Sequence, residues 1–140
     1  MIESLNAMIT YRSDVVPDAE AILQLYRAAP LRRPPDFLDR IRRMYAGSNV
    51  VLTAWDGDRL AGILRGLTDG CYDAYLCDMA IHPDYQRQGI GRGLLDFAVR
   101  GHDDVQFVLR SSRLATSFNY YEKLGWKKMA NGWFWPRIKE

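Results

Sequence analysis

The stretch YLCDMAIHPDYQRQGIGRGLL, residues 75–95, constrains the fold more than any other part of the chain. It begins as an apolar run typical of a strand, is broken at Pro83, and continues through QRQGIG into apolar residues at helical spacing. Gly89 and Gly91 leave the backbone bare where the first N–H groups of a helix have no acceptor, so these amides can converge on an anion. The stretch therefore predicts a strand, a glycine turn and a helix that starts with an anion cradle.

Arginines flank this turn and indicate which anion it suits. Arg87 and Arg92 can add charge to a diphosphate. The turn has neither the Lys-Ser/Thr pair of a P-loop nor a complete G-x-G-x-x-G, which disfavours a nucleoside triphosphate or a dinucleotide. A glycine turn that only allows close helix–strand packing is the structural alternative.

Apolar spacing before this stretch predicts two helices and then strands. A strand over residues 8–12 precedes a helix that starts near Pro17, and a second helix runs from Pro35 to Gly47, which we expect to end it in the left-handed conformation. Residues 50–82 then form a meander of three antiparallel strands, with Asp56 and Gly57 as the first hairpin turn.

The C-terminal third predicts a crossover followed by a helix and a hairpin. A helix over residues 89–100 leads to a buried strand at 105–109, and Ser111 or Ser112 caps a last helix that reaches Leu124. Residues 126–129 and 133–138 then pair as an aromatic hairpin. The simplest interpretation is that the aromatic side chains of this hairpin pack in the core. The alternatives are that they line the substrate site or form the edge of a homodimer.

Composition sets the class of molecule. With 140 residues, 48% of them hydrophobic, one domain over residues 1–140 is expected, with an α/β fold in which about four helices flank a mixed central sheet. A net charge of +2 disfavours nucleic acid as the main partner. The two cysteines and two histidines form no metal-binding or disulfide pattern, and no segment resembles a signal peptide or membrane span, so we expect no metal and a cytoplasmic location.

The strand, the QxxGxG turn and the later YYEKLGW segment resemble the GNAT superfamily of N-acetyltransferases over about residues 8–130. The stretch DMAIHPDYQRQGIGRGLL is particularly similar to the ribosomal-protein N-terminal acetyltransferases. The resemblance implies a GNAT-like fold, acetyl-CoA as cofactor and acetyl transfer to the amine of a small molecule or peptide.

The resemblance also implies roles for individual residues. The backbone of Met79, Ala80 and Ile81 would pair with the pantetheine arm, and Gln86 would stand at the loop entrance. The pyrophosphate would be held by the amides of Arg87, Gln88, Gly89, Ile90, Gly91 and Arg92.

Tyr121 matches the family tyrosine that protonates the leaving thiolate, which is general-acid work. Leu114 stands where the family often has an asparagine that contacts the cofactor. Asn119 is the candidate to replace that contact, and its alternative is an exposed helix residue. The strand VQFVL has no carboxylate where the ribosomal-protein branch has its base, so the base is water or lies elsewhere.

Substrate residues are expected on the meander strand that leads into the turn. Strict alternation puts Tyr75, Cys77 and Met79 on one face, which the resemblance turns toward the substrate, and Asp78 on the other, as a helix-anchoring residue. Asp73 at the strand start is a candidate substrate carboxylate. Cys77 is either a buried thiol or a nucleophile.

Charge blocks leave two further alternatives open. Residues 26–45 hold six arginines, which an acetyltransferase acting on aminoacyl-tRNA could use, and residues 56–84 hold six aspartates, which favour a cationic acceptor. A CoA-sensing module without turnover is the other alternative.

Overall fold

The computed structural model describes residues 8–29, 31 and 37–139. Its strands are β1 (Ile9–Arg12), β2 (Val50–Asp56), β3 (Arg59–Thr68), β4 (Asp73–Ile81) and β5 (Gln106–Leu109). Its helices are α1 (Ala19–Ala28), α2 (Leu38–Ala46), α3 (Ile90–Val99), α4 (Arg113–Ser117) and α5 (Tyr120–Lys123), with a 3₁₀ turn at Pro83–Tyr85. The predicted α/β fold with a mixed central sheet is confirmed.

The sheet has the order β1-β2-β3-β4-β5. Each strand up to β4 is antiparallel to its neighbour, which confirms the meander, and β5 is parallel to β4 after the crossover through α3. The β2–β3 turn lies one residue later than predicted, because Asp56 still pairs with Arg59, which leaves Gly57 and Asp58 as the two turn residues. Gly57 takes the positive φ of +61° that such a turn requires.

Helices α1 and α2 cover one face of the sheet. Asp18 caps α1 by accepting a hydrogen bond from the Ala21 amide at 3.0 Å. Their apolar sides and this face of the sheet form one core cluster, which includes Ile22, Leu25, Tyr26, Ile41, Tyr45, Val51, Ile63 and Ala80. The predicted start of α2 at Pro35 lies outside the described residues. Gly47 does follow α2, but its φ of −93° is not left-handed, so that expectation is wrong.

Helix α3 covers the opposite face, where it approaches β1 closely. A Cβ atom added to Gly93 would clash with the Tyr11 side chain, so a larger residue there would require the Tyr11 ring to move. Ile90, Leu94 and Ala98 are buried as expected, and Phe97 is half-buried with its ring centroid 6.4 Å from that of Tyr11. This packing fixes the position of α3, whose first turn carries the predicted anion cradle, on the sheet.

A bulge in β4 changes which residues share a face. Arg65 is in register with Asp78 but Gly66 with Leu76, so Cys77 is an extra residue. Because β3 alternates without interruption, its partners Ala80, Asp78 and Tyr75 lie on the α1/α2 face, and Met79 and Leu76 lie on the α3 face. The prediction that Tyr75 shares a face with Met79 is therefore wrong.

The chain divides into two compact units, one up to Leu109 and one from Arg110. In the second unit, Ser112 caps α4 by accepting from the Ala115 amide at 3.1 Å. The single helix expected here is broken, because Asn119 adopts a left-handed φ of +53°, which asparagine tolerates better than most residues. Gly125 ends α5 with a φ of +94°.

The expected C-terminal hairpin is absent from the described residues. Residues 126–139 form no strand, and Trp133 and Trp135 are 95% and 87% exposed. Pro136 lies inside the predicted second strand, where it has no N–H to donate to a ladder. The core-packing interpretation of this aromatic segment is therefore wrong, and the strand edge expected for a homodimer is not formed.

Candidate functional site

The outer edge of β4 opens at the bulge. Strand β5 pairs with residues 73–76 of β4 only, and no other strand of the described residues pairs with that edge over residues 77–81. Every second residue of an antiparallel strand points its N–H and C=O away from its neighbour. Residues 77–81, which include Met79, Ala80 and Ile81, can therefore receive an extended ligand as if it were another strand.

The edge leads into the loop that precedes α3. The Gln86 side chain donates from Nε2 to the Ile81 carbonyl at 3.1 Å, which ties the loop entrance to the strand end. The Gln88 side chain donates to the Asp84 carbonyl at 3.4 Å. Both glutamines therefore hold the loop in shape with their side chains.

Two left-handed residues turn the loop amides into a concave cradle. Arg87 has a φ of +65° and Gly89, the N-cap of α3, has a φ of +81°. Gly93 donates to the Gly89 carbonyl at 2.9 Å as the first intrahelical bond of α3, so the preceding amides of Ile90, Gly91 and Arg92 have no helical acceptor. Alternating backbone handedness and a helix N-terminus both favour an anion at this point.

The cradle is braced from the β2–β3 hairpin. Tyr85 is buried, and its hydroxyl donates to the Asp56 carboxylate. Arg59 lies over the Tyr85 ring at 5.1 Å and bonds Asp84 at 2.7 Å, which holds the pKa of that carboxyl below its usual range. The sequence analysis did not predict this brace. The available signals were Arg59 beside the β2–β3 turn and Tyr85 just before the glycine turn.

The donor set fits the phosphate end of CoA. Free amides at the start of α3 bind oxygen anions, and Arg87 and Arg92 add positive charge beside them. Arg92 is exposed and lies 3.8 Å from Asp96. The open edge of β4 suits the amide groups of a pantetheine arm, and this edge, Gln86 and residues 87–92 lie on one continuous path.

Behind the edge, a buried polar cluster fixes the bulge. Arg65 donates from Nε to Asp78 at 2.8 Å, and the Tyr26 hydroxyl donates to the same carboxylate at 3.1 Å. The Tyr45 hydroxyl lies 2.6 Å from the Tyr26 hydroxyl. The helix-anchoring role expected of Asp78 is confirmed, but Arg65 and the two tyrosines were missed. An arginine inside an apolar strand was the available signal.

The candidate substrate residues lie around the bulge. Cys77 is half-buried, and burial raises the pKa of its thiol despite the nearby Arg65 charge. Tyr75 is 39% exposed on the α1/α2 face. Asp73 is exposed at the start of β4 and accepts a hydrogen bond from the Gln106 side chain at 3.2 Å.

In the second unit, Tyr121 is packed among aromatic rings. Its ring centroid lies 5.0 Å from that of Tyr120 and 6.1 Å from that of Trp126. Burial, and next the neighbouring Tyr120, raise the pKa of the Tyr121 phenol, so it is held in the protonated form. Asn119 is exposed at the helix break, and Leu114 lies in α4.

Other sequence signals bring no further site together. Arg42 and Arg43 are exposed on α2, and Arg32 and Arg33 lie outside the described residues. Over residues 8–29, 31 and 37–139, no three acidic, histidine or cysteine side chains form a group that could hold a metal ion. None of the helices described is long and apolar enough to cross a membrane.

Comparison with known proteins shows the family of this chain and agrees with its fold. Residues 31–133 match the sequence profile described as "Acetyltransferase (GNAT) domain". The chain belongs to the GNAT acetyltransferase family. A GNAT-family acetyltransferase from Streptococcus pneumoniae superposes with a TM-score of 0.78 and 26% identity, covering 94% of this chain and 100% of that one.

Two further proteins named as N-acetyltransferases resemble this chain. A protein of Prochlorococcus marinus named uncharacterized N-acetyltransferase ycf52-like is 31% identical over 102 residues, covering 68% of this chain. The chain spans 54% of that relative's length. The ribosomal-protein-S18-alanine N-acetyltransferase of Escherichia coli superposes with a TM-score of 0.67 at 23% identity, covering 84% of this chain and 77% of that one, which is a likeness of fold.

Proposed function

We propose that this chain is an acetyl-CoA-dependent N-acetyltransferase that moves an acetyl group by direct attack of a primary amine on the thioester. The observation that carries the proposal is the continuous path from the open β4 edge at residues 77–81 into the cradle at residues 87–92. The family match runs across the boundary between the two compact units, and we propose that both belong to one acetyltransferase domain.

Acetyl-CoA would supply the activated acyl group as a thioester. The backbone of Met79, Ala80 and Ile81 would bind its amide-bearing arm. The amides from Arg87 to Arg92 would bind its diphosphate. Gln86 contributes by fixing the loop to the strand end, since its side chain already bonds Ile81.

The acceptor amine must be neutral when it attacks, because an ammonium has no lone pair. Asp78 is not the base in this proposal, since its carboxylate is buried and accepts hydrogen bonds from both Arg65 and Tyr26. Water that relays the proton to solvent fills the role. Cys77 has a raised thiol pKa, which disfavours a thiolate nucleophile and supports direct transfer.

We assign the general acid to Tyr121 by its match to the family tyrosine. Its half-buried phenol has a raised pKa and stays protonated, so it has a proton to donate to a departing thiolate. Asn119 is the candidate to replace the cofactor contact of the family asparagine, whose position Leu114 occupies, and this role stays a prediction. A homodimer also stays a prediction.

A cytoplasmic location belongs to the same proposal. Cys71 and Cys77 are both free thiols, which suits a reducing compartment.

Two measurements on the purified chain test the function. We expect saturable CoA binding by calorimetry, and thiol release from acetyl-CoA when primary amines are supplied as a broad panel. Saturable binding without thiol release to any amine, including aminoacyl-tRNA, would indicate the CoA-sensing alternative. Absence of CoA binding would refute the proposal altogether.

A further inference from the structure

Three apolar side chains lie side by side on the α1/α2 face of the sheet, beyond the part that the helices cover. Leu67 of β3 is in register with Tyr75 of β4, which is in register with Val108 of β5. Leu67 is 42% exposed, Tyr75 is 39% exposed and Val108 is half-buried. Because neighbouring strands are about 4.8 Å apart, the three side chains form one continuous surface, here called the apolar ledge.

The bulge is what places Tyr75 in this row. Without the extra residue Cys77, alternation would turn Tyr75 to the α3 face together with Met79. Leu67 and Val108 carry no sequence signal of their own, since they belong to apolar strand runs. The ledge therefore becomes visible only from the register.

Two polar features close the ends of the ledge along β4. At one end lies Cys77, the first residue of the open edge, with the buried Arg65–Asp78 pair beside it. At the other end lies Asp73, whose carboxylate accepts a hydrogen bond from Gln106. Within the described part of the chain, no Lys or Arg side chain forms an ion pair with Asp73, so its negative charge is uncompensated.

The spacing of these features follows from strand geometry. At about 3.3 Å per residue, Tyr75 lies about 7 Å along β4 from Cys77, and Asp73 lies about 13 Å from it. A ligand that starts at the open edge and follows the ledge would meet an apolar surface first and a carboxylate at its far end.

We infer that the acceptor is an elongated primary amine, with an apolar body that lies on Leu67, Tyr75 and Val108 and a second cationic group that reaches Asp73. The inference rests on the proposed acetyl transfer, because the reacting nitrogen is taken to lie at the open edge near Cys77. The charge of Asp73 favours a cationic group at the far end of the acceptor. The exposed apolar ledge favours an apolar segment between that group and the reacting amine. Short polar amines such as ethanolamine would leave the ledge in water.

The test compares three acceptors in the acetyl-CoA thiol-release assay. These are ethanolamine, 4-phenylbutylamine, and 4-phenylbutylamine with an aminomethyl group at the para position of its ring. We expect kcat/KM to rise about tenfold from the first to the second and about fivefold more to the third, in the range that single pocket contacts give.

Variants assign these gains to residues. Tyr75→Ser should lower kcat/KM for both aryl amines about tenfold relative to that for ethanolamine. Asp73→Asn should remove the advantage of the para-aminomethyl compound alone. The control for Tyr75→Ser is Val16→Ser, which changes an exposed apolar side chain in the segment before α1. The control for Asp73→Asn is Asp58→Asn, which changes an exposed aspartate at the end of β3 that is far from Leu67. Neither control should change the order of the acceptors.

The outcomes separate this inference from the function on which it rests. Equal kcat/KM for all three amines, unchanged by Tyr75→Ser, would overturn the ledge as an acceptor surface while acetyl transfer stands. No thiol release with any amine would overturn the proposed activity and the acceptor assignment together. The CoA affinity of each variant should equal that of the unmodified chain, because the ledge residues form no part of the cradle at residues 87–92.

Discussion

Arg65 donates a hydrogen bond from Nε to the Asp78 carboxylate at 2.8 Å, across the point where β4 gains its extra residue. The side chains are 13% and 6% exposed, so the pair is almost dehydrated. The Asp78 carboxylate also accepts a hydrogen bond from Tyr26 of α1, which links the bulge to the helices on the α1/α2 face of the sheet. The outer edge of β4 opens immediately beside this pair, so its geometry depends on a buried charge interaction.

Breaking this pair should destabilise the fold strongly. We expect Asp78→Ala to lower the free energy of unfolding by about 3–5 kcal/mol, because it leaves the Arg65 guanidinium buried without a counter-charge. Chemical denaturation followed by tryptophan fluorescence measures the change.

A double variant separates loss of charge balance from loss of shape. Arg65→Met combined with Asp78→Leu removes both charges and should restore most of the stability. Asp39→Ala, which removes the exposed Arg43 partner on α2, should change little. If Asp78→Ala behaved like Asp39→Ala, the buried pair would have no stabilising role.

Gly89 offers a direct test of the cradle. It has a φ of +81° and nothing within 4 Å of an added Cβ, so Gly89→Ala is strained only through its backbone, by about 1–2 kcal/mol. We expect CoA affinity to fall about tenfold in calorimetry as the loop relaxes, which is a change of about 1.4 kcal/mol.

Gly101→Ala is the matched control for the cradle. Gly101 has a φ of +78° and equally open surroundings, but it lies in the loop between α3 and β5. The two variants should lose similar stability, and only Gly89→Ala should lose CoA affinity. Equal CoA affinity in both would argue against a phosphate site at residues 87–92.

Local and distant interactions explain which of these features the sequence could predict. The strand β4, the glycine turn and α3 could be predicted because the spacing of apolar residues and the turn glycines lie within one short stretch of sequence. The structure contains all three. The bulge at Cys77 depends on how β4 pairs with the neighbouring strand at Arg65, and alternation alone placed Tyr75 on the wrong face. The left-handed Asn119 breaks a helix whose apolar spacing is uninterrupted. Residues 126–139 have strand-like alternation, yet alternation does not supply a hydrogen-bonding partner.

Buried tyrosines should make stability fall at high pH. Burial, and next the charges of its neighbours, raise the pKa of Tyr26 above the value of about 10 that it has in the unfolded chain. Below pH of about 10 both states keep the proton, and above it the unfolded state alone releases the proton, so stability is lost as pH rises. Each such group contributes a slope of about 1.4 kcal/mol per pH unit.

Replacing Tyr26 should reduce that alkaline slope. Tyr26→Phe loses the hydrogen bond to Asp78 at every pH, but its free energy of unfolding should fall less steeply than that of the unmodified chain between about pH 10 and 11. Tyr72→Phe, at a side chain 69% exposed, should leave the slope unchanged. Parallel curves for all three proteins would mean that Tyr26 titrates normally in the folded state.

Tyr121 is the residue on which the proposed chemistry depends, and its neighbour provides a close control. Tyr121→Phe keeps the ring that packs against Tyr120 and Trp126 but removes the proton, so kcat should fall about 10²- to 10⁴-fold with unchanged CoA affinity. Tyr120→Phe removes a hydroxyl one residue away and should leave kcat close to normal. In the unmodified enzyme, the alkaline loss of kcat should begin only above the raised pKa of the Tyr121 phenol, since the proton donor is present at lower pH. Full activity in Tyr121→Phe would show that the departing thiolate takes its proton from another source, such as water.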